Sequence, residues 1–569
     1  METFEAKILV KNLLKRIRKV DNDTYELNST LTDDEVLALE FALASLDKTI
    51  SNLSPPTQDF DTTNSIAEEK SKEASSDPPL ELEAVHIEIN LVTNTLHLPP
   101  PPEDRRLCLD FGTAMSKVTL VRDNTKERNY EDIEVLKLGI PGDQEEVSQT
   151  MLVSSVFIDS DGILRFGHKA VQYSQLEGQN GDRQRLDNIK RYLSEEGLNS
   201  PVSKIFNPTD IEITYGDMVL AYLMFLTWAV NYCLKDINEP RNLNRRYAMP
   251  CLDERKARHA SHDLSRMLGE AQILADTFFT ELQNGISLAS FIEAASQLKT
   301  QKNKYIFVKE NVAEPLGVAG AIISWKQQVN SLIMVVDVGA GTSDFSMYRM
   351  SYDTSKDKSM AFEVENSSEG ITEAGNYLDK LLKGLILREA GIDSTHSHWI
   401  NIQGNLELDL RDYKERLFLD SEIVVRLFNE QIISITLDQF LSLDQVVQFG
   451  KSLKECRDRI LSRVDRSFIH GAPHDAVALA LTGGGASLPM VKALAEGTVT
   501  VQGKELKLVQ ATNFPQWLKE EYPELESDYP RISVSLGGAR KKLISRGTAS
   551  VTAGDIKSPP ILDGYYSKG

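Results

Sequence analysis

Two segments far apart in the chain repeat one design, and that repetition constrains the fold more than any other feature. Leu107-Cys108-Leu109-Asp110-Phe111-Gly112-Thr113 and Met334-Val335-Val336-Asp337-Val338-Gly339-Ala340-Gly341-Thr342 each deliver an aspartate to the end of an apolar strand and then turn through glycine. A further strand-like run follows each turn, SKVTLV after the first and SDFSMY after the second. Each unit therefore reads as a β-hairpin rather than as a strand feeding a helix. Small residues at such turns, here Gly112, Thr113 and Ala114 in one and Gly339, Gly341 and Thr342 in the other, let backbone N–H groups approach phosphate oxygens. Asp110 and Asp337 are the carboxylates that would hold a hydrated Mg²⁺ between those phosphates. Taken singly, each segment reads more readily as an ordinary hairpin with a DxG turn, since such turns are common. Together they duplicate a phosphate grip, and neither matches the GxxxxGK[ST] loop or the GxGxxG dinucleotide turn.

A third segment, Val477-Ala478-Leu479-Ala480-Leu481-Thr482-Gly483-Gly484-Gly485-Ala486-Ser487-Leu488-Pro489, reads as a buried strand, a glycine turn and a helix starting near Pro489. Gly483, Gly484 and Gly485 would let a flat purine and its ribose lie against the backbone; a tight turn with no ligand is the other reading of the same residues. From about Arg105 to about residue 550, apolar strand runs alternate with helical patterns, which argues for α/β architecture. With 569 residues and 41% apolar composition, the chain can fill large cores.

A formal charge of -21 argues against attraction of the whole molecule to nucleic acid or to an anionic membrane. Cys108, Cys233, Cys251 and Cys456 follow no CxxC or metal-ligand spacing and read as core residues of a reducing compartment. His259 and His262 on a helical pattern, and His396 and His398 around Ser397, bring no third ligand with them, so no metal site is assigned to them. The start, METFEAKILVKNLLKRIRKV, lacks the apolar stretch and cleavage site of a signal peptide, so a cytoplasmic protein is expected. Met218 to Leu234 holds seventeen residues without a charge, at the lower edge for a membrane span. Lying inside the α/β region between Asp217 and Lys235, it reads as a buried core helix, and no membrane is expected.

Residues 1–50 are expected to form a helical segment. Phe4, Ile8, Leu9, Leu13 and Ile17 fall at helical spacing over residues 1–20, and Val36, Leu39, Ala42, Leu43 and Leu46 do so from about Asp33. These helices hold too little apolar surface to be stable alone, so they either dock on a partner or cap the main domain. Residues 51–104 read as a linker: Ser, Pro, Asp and Glu dominate 51–82, VHIEINLV is a short β-like stretch, and Pro99 to Pro102 form a stiff spacer. Within 105–550, residues 270–304 carry AQILADTFFTEL and SLASFIEAASQL around Asn284-Gly285 and read as an added helical hairpin; 551–569 is a loosely held tail.

The order of these pieces resembles the ATPase domain of DnaK-type heat-shock chaperones, within the actin and hexokinase superfamily, over roughly residues 105–550. The phosphate motifs stand as DFGTAMSK and DVGAGTSDFS, the hinge motif as Asn311-Val312-Ala313-Glu314-Pro315-Leu316-Gly317-Val318-Ala319, and the adenosine motif as LTGGGASLP. Two further matches favour chaperones over actins: FGHKAVQ followed by Asp187-Asn188-Ile189-Lys190-Arg191-Tyr192-Leu193, and Tyr247-Ala248-Met249-Pro250 followed by ERKARHASHDL. The resemblance implies a two-lobed actin-like ATPase fold with duplicated mixed sheets, closing on ATP and Mg²⁺. It implies that Asp110 and Asp337 face the metal through water and that Thr113 and Thr342 contact phosphate. It makes Lys190 the catalytic lysine beside the γ-phosphate, has Glu314 and Asp344 order metal and attacking water, and makes Lys414 the adenosine-side lysine. Without the family, a lysine such as Lys190 is more often a solvated helix lysine and Glu314 a hinge or cap residue. The chain departs from the pattern at Ser487, where chaperones have an arginine on adenine, at Ala374-Gly375-Asn376 in place of Gly-Gly-Glu, and at Arg411 and Glu415 beside Lys414.

The function implied is weak ATP hydrolysis to ADP and phosphate, driving a conformational switch that acts on a partner protein. The partner would bind residues 1–50 or the added hairpin, because the twenty or so residues after 550 cannot form a chaperone's peptide-binding domain. The alternatives are an actin-like filament protein, a small-molecule kinase, against which Lys190 in DNIKR argues, and a pseudo-ATPase that binds nucleotide without turnover.

Overall fold

The computed structural model describes residues 17–19, 25–27, 89–124, 131–139, 149–193, 197–250, 254–322, 329–353, 355, 358–511, 514–541 and 543. The chain divides into two units, Met1–Ala84 and Val85–Gly569. In the first, β1 (Ile17–Lys19) pairs antiparallel with β2 (Tyr25–Leu27), Ile17 lying opposite Leu27. Residues 17–19 are thus strand, not the end of the helix expected over residues 1–20. Asp21-Asn22-Asp23, between the strands in sequence, has the side chains that compete with helical backbone bonding and favour turns. The rest of the expected N-terminal helices, the 51–82 linker and the 551–569 tail lie outside the described residues.

The second unit is mixed α/β. Its first part runs β3 (Arg105–Asp110), β4 (Met115–Asp123), β5 (Glu131–Val135), β6 (Leu152–Val153), β7 (Val156–Ile158), β8 (Ile163–Phe166), α1 (Gly167–Glu177), α2 (Tyr215–Asp236), β9 (Asn244–Met249), α3 (Glu254–Thr277), β10 (Ile286–Ser287), α4 (Leu288–Thr300) and β11 (Val308–Ala313). The main sheet has the order β11-β9-β3-β4-β5, with β6 on β4, while β7, β8 and β10 form a small sheet of their own. Helices α2, α3 and α4 pack with these strands in one core. The apolar run of α2 is used there: the helix is long and apolar enough to cross a membrane, but 89% of its apolar window is buried inside the fold. A capping box between Thr214 and Asp217 starts it.

The remainder runs α5 (Glu314–Ile322), β12 (Val329–Val338), β13 (Ser343–Asp353), β14 (Lys358–Glu363), β15 (Glu369–Ile371), α6 (Gly375–Glu389), α7 (Trp399–Asp420), β16 (Glu422–Arg426), β17 (Ile432–Thr436), α8 (Leu437–Leu441), α9 (Asp444–Arg463), α10 (Arg466–His470), β18 (Ala476–Thr482), α11 (Pro489–Lys492), β19 (Thr498–Val501), β20 (Lys504–Gln510), α12 (Gln516–Glu521) and α13 (Tyr529–Ala539). Its sheet has the order β14-β13-β12-β18-β20-β19, with β15 on β13, and builds a second core with α6, α7 and α9. A third core joins the sheets, packing Ala248 and Val312 of the first and Val335 and Ala480 of the second around Leu316 and Ala319 of α5 and Val534 of α13. Small residues allow α5 and α13 to approach this closely; a Cβ on Gly317 would come within 2.6 Å of the Val534 carbonyl oxygen.

Two expectations change. The two helices expected within 270–304 form on either side of Asn284-Gly285, but the first, AQILADT, is the C-terminal part of the long helix α3 that begins at Glu254; Ile286 pairs with Leu164, and Leu274, Phe291 and Leu298 are buried, so the segment is part of the first core. Residues 92–102 are not a free spacer. Val92 N donates to Thr277 Oγ1 at 3.0 Å and Thr95 Oγ1 to Asp276 at 2.5 Å, while Asn242 and Asn244 donate to the carbonyls of Pro99 and Pro102 at 2.7 and 3.1 Å. Composition suggested a linker there, but proline carbonyls remain good acceptors and the fold satisfies them. Residues 89–92 of the β-like stretch are irregular.

Candidate functional site

Strands β3, β12 and β18 lie in the middle of their sheets and end at one cavity of about 470 Å³, within the size range of small-molecule sites. Both expected hairpins form: β3 pairs antiparallel with β4 and β12 with β13. Their turns, with Gly112, Thr113 and Ala114 on one side and Gly339, Gly341 and Thr342 on the other, line the cavity. They nearly touch across it, since a Cβ on Gly341 would lie 3.8 Å from the Thr113 methyl. The third turn, Gly483-Gly484-Gly485, follows β18 and closes another wall. Gly483 has φ +81 and is pressed against Asp337 and the Val338 carbonyl, so only glycine fits there. Its N–H donates to Pro530 O at 3.0 Å, and Thr482 Oγ1 donates to the same carbonyl at 2.7 Å. The start of α13 therefore holds this turn in place.

Asp110, Asp337, Asp344, Glu314 and Lys190 converge at the junction of the hairpins. Lys190 lies in a 3-10 turn over Ile189–Leu193, is 9% exposed, and is ion-paired with Glu314, the first residue of α5. It is neither solvated nor helical in the α sense. Burial pulls its pKa down, but the charges of Glu314, Asp110 and Asp337 more than offset this and raise it, so the ammonium stays charged. The strand register puts Asp110 opposite Lys117, Nζ 3.5 Å from its carboxylate, and Asp337 opposite Asp344. Burial, with the charges of Glu314, Asp344 and Asp110, pushes Asp337 up to about 8. Asp344 is pushed up to about 6 by burial, against a hydrogen bond of 2.7 Å from Thr342 Oγ1.

On the opposite wall, Lys414 of α7 is ion-paired with Asp379 at 2.7 Å and donates to Gly375 O at 3.0 Å. Gly375 N and Asn376 N donate to Gly339 O and Ala340 O at 3.1 and 2.7 Å, so the Ala374-Gly375-Asn376 stretch braces the second hairpin turn. Arg411, Lys414, Glu415 and Phe418, at helical spacing, turn one face of α7 into the cavity, which Ser487 also lines. No family model matches this chain, and no curated protein matches it in sequence.

Every residue given a phosphate, metal, catalytic or adenosine role from the sequence lines this one cavity. Sequence reasoning passed over Lys117, Asp379, Phe418, Pro530 and Arg531, which line it too. A signal existed for Lys117, a cation in the second strand of a hairpin whose first strand ends in aspartate. Pro530 and Arg531 carried none, because their place depends on where α13 docks.

Proposed function

We propose that the cavity binds ATP with magnesium in a two-lobed actin-like fold, and that the protein is a DnaK-like, nucleotide-driven conformational switch acting on a partner protein in the cytoplasm. The observation that carries this reading is the convergence of two aspartate hairpins and a glycine turn on a buried Lys190–Glu314 pair. Asp110, Asp337 and Asp344 of the two sheets and Glu314 of α5 outnumber the two lysines among them, Lys117 and Lys190. A divalent cation fits that imbalance. Asp110 and Asp337 would hold a magnesium ion, which supplies neutralisation of phosphate charge. The turn N–H groups and Thr113 would orient phosphate oxygens, and Lys190 would offset charge that grows on the terminal phosphate. Asp344, at about 6, has the proton affinity to accept a proton from an attacking water near neutral pH, with Glu314 holding Lys190 in place.

Calorimetry with ATP and Mg²⁺ tests the reading. Binding heat that needs both is expected, and its absence sinks the proposal. Sedimentation with ATP separates this switch from a filament, which alone would pellet.

A further inference from the structure

The first core and the second meet at a place that the cavity chemistry does not use. Gln175 Nε2 at the end of α1 donates to Asp409 Oδ1 of α7 at 2.5 Å, Asn401 Nδ2 to Asn180 O at 2.6 Å, and Gln184 Nε2 to Gly404 O at 3.1 Å. The backbones touch at Gly181 and Gly404, where a Cβ on Gly404 would collide with the main chain of Gly181. Leu186 and Ile189 anchor this loop in the first core, whereas Ile402, Leu406 and Leu410 anchor α7 in the second. The same α7 carries Arg411 and Lys414 into the cavity.

Arg185 sits inside that contact with its side chain only 8% exposed. Its Nη2 donates to Leu408 O of α7 at 2.8 Å, its Nη1 to Ser174 Oγ at 3.2 Å, and its Nε lies 3.1 and 3.0 Å from the carboxylate oxygens of Asp187. Asp187 also accepts from Ser155 Oγ. Asn188 follows in the left-handed region at φ 58, then Ile189 and Lys190. A rigid guanidinium fork thus grips the backbone of α7 with one arm and a carboxylate three residues before Lys190 with another.

We infer that Arg185 is a positioning residue that transmits the docking of α7 on the α1 loop to Lys190. It rests on the reading of the cavity as a hydrolytic nucleotide site. Undocking α7 removes the Leu408 acceptor, loosens the hold on Asp187 and lets the turn that aims Lys190 drift, while the hairpin turns that would bind phosphate stay as they are. An error of about 1 Å in such a group costs up to about a hundredfold in rate.

The test uses the full chain and three variants, Arg185→Ala, Gly404→Ala and the double variant, read by calorimetry with ATP and Mg²⁺ and by single-turnover hydrolysis. Arg185→Ala is expected to keep affinity within about threefold while slowing turnover about tenfold or more, a split that mere loss of fold stability does not produce. Gly404→Ala, which pries α7 from Gly181 without altering any side chain of residues 185–190, is expected to give the same loss, and the double variant no more than either single one. Wild-type turnover in both single variants, or losses that multiply in the double variant, overturn the inference alone. A wild-type protein that does not bind ATP, or binds without hydrolysing it, removes the reading of the cavity and the inference together.

Discussion

Asp110 ends β3 across from Lys117, whereas Asp337 ends β12 across from Asp344. The two hairpins share a backbone plan, an aspartate and a glycine turn, yet one carboxylate is met by a cation and the other by a second carboxylate. The consequence is electrostatic: Asp337 is pushed up to about 8 by burial and neighbouring carboxylates. A duplicated scaffold therefore need not duplicate chemistry. The first hairpin holds a compensated charge, and the second holds the one that gains most from an incoming cation.

The change expected to act most strongly removes the cation that both hairpins share. If the cavity hydrolyses ATP as proposed, Lys190→Ala should slow single-turnover hydrolysis by about a hundredfold or more while ATP affinity changes far less, because the ammonium would act on charge that develops during reaction. Equal turnover in variant and wild type would dismiss this role for Lys190.

Next in size is the contrast between the aspartates. Asp337→Asn should weaken magnesium-dependent ATP binding by about a hundredfold, and Asp110→Asn by about tenfold, since Lys117 already balances Asp110. Calorimetry at fixed Mg²⁺ ranks them, and the reverse order would mean that the strand register does not set the difference.

A smaller effect concerns pH in the nucleotide-free protein. Asp337 has a folded pKa of about 8, above its unfolded value, so its proton stabilises the fold fully below the unfolded pKa and that stability is lost as pH rises toward 8. Thermal melts should show wild type losing ground to Asp337→Asn between pH 5 and about 8. A constant gap between the two across that range would contradict the assignment.

The least effect is expected at Thr342. Its hydroxyl lowers the pKa of Asp344, so Thr342→Val should raise that pKa and move the acid limb of the turnover profile to higher pH by less than about one unit. A shift to lower pH would exclude Asp344 as the proton acceptor.

Local pattern was enough for the hairpins, because apolar alternation, an aspartate and small turn residues act over a few neighbours. It was also enough for β18, whose seven residues are all buried, and for α2. It failed where composition and packing disagree. Asn284-Gly285 marked the break between two helices correctly, but local pattern missed that the first of them, α3, begins at Glu254, far upstream, and docks on α2. The prolines at 99–102 suggested a spacer, yet Asn242 and Asn244 reach their carbonyls.

Local sequence carried the two aspartate turns, the glycine turn after β18, the α/β alternation and the motif residues that meet at the cavity, but not Asp379, Phe418, Pro530 or Arg531, which line it as well. It could not decide that Lys190 is buried against Glu314, that Lys117 answers Asp110 while Asp344 crowds Asp337, or that Arg185 reaches the backbone of α7. The first set follows from backbone preferences and from strand periodicity, which neighbouring residues fix. The second depends on charges that lie far apart in the chain, and their burial and distances exist only once two sheets and the helices α5 and α13 have packed.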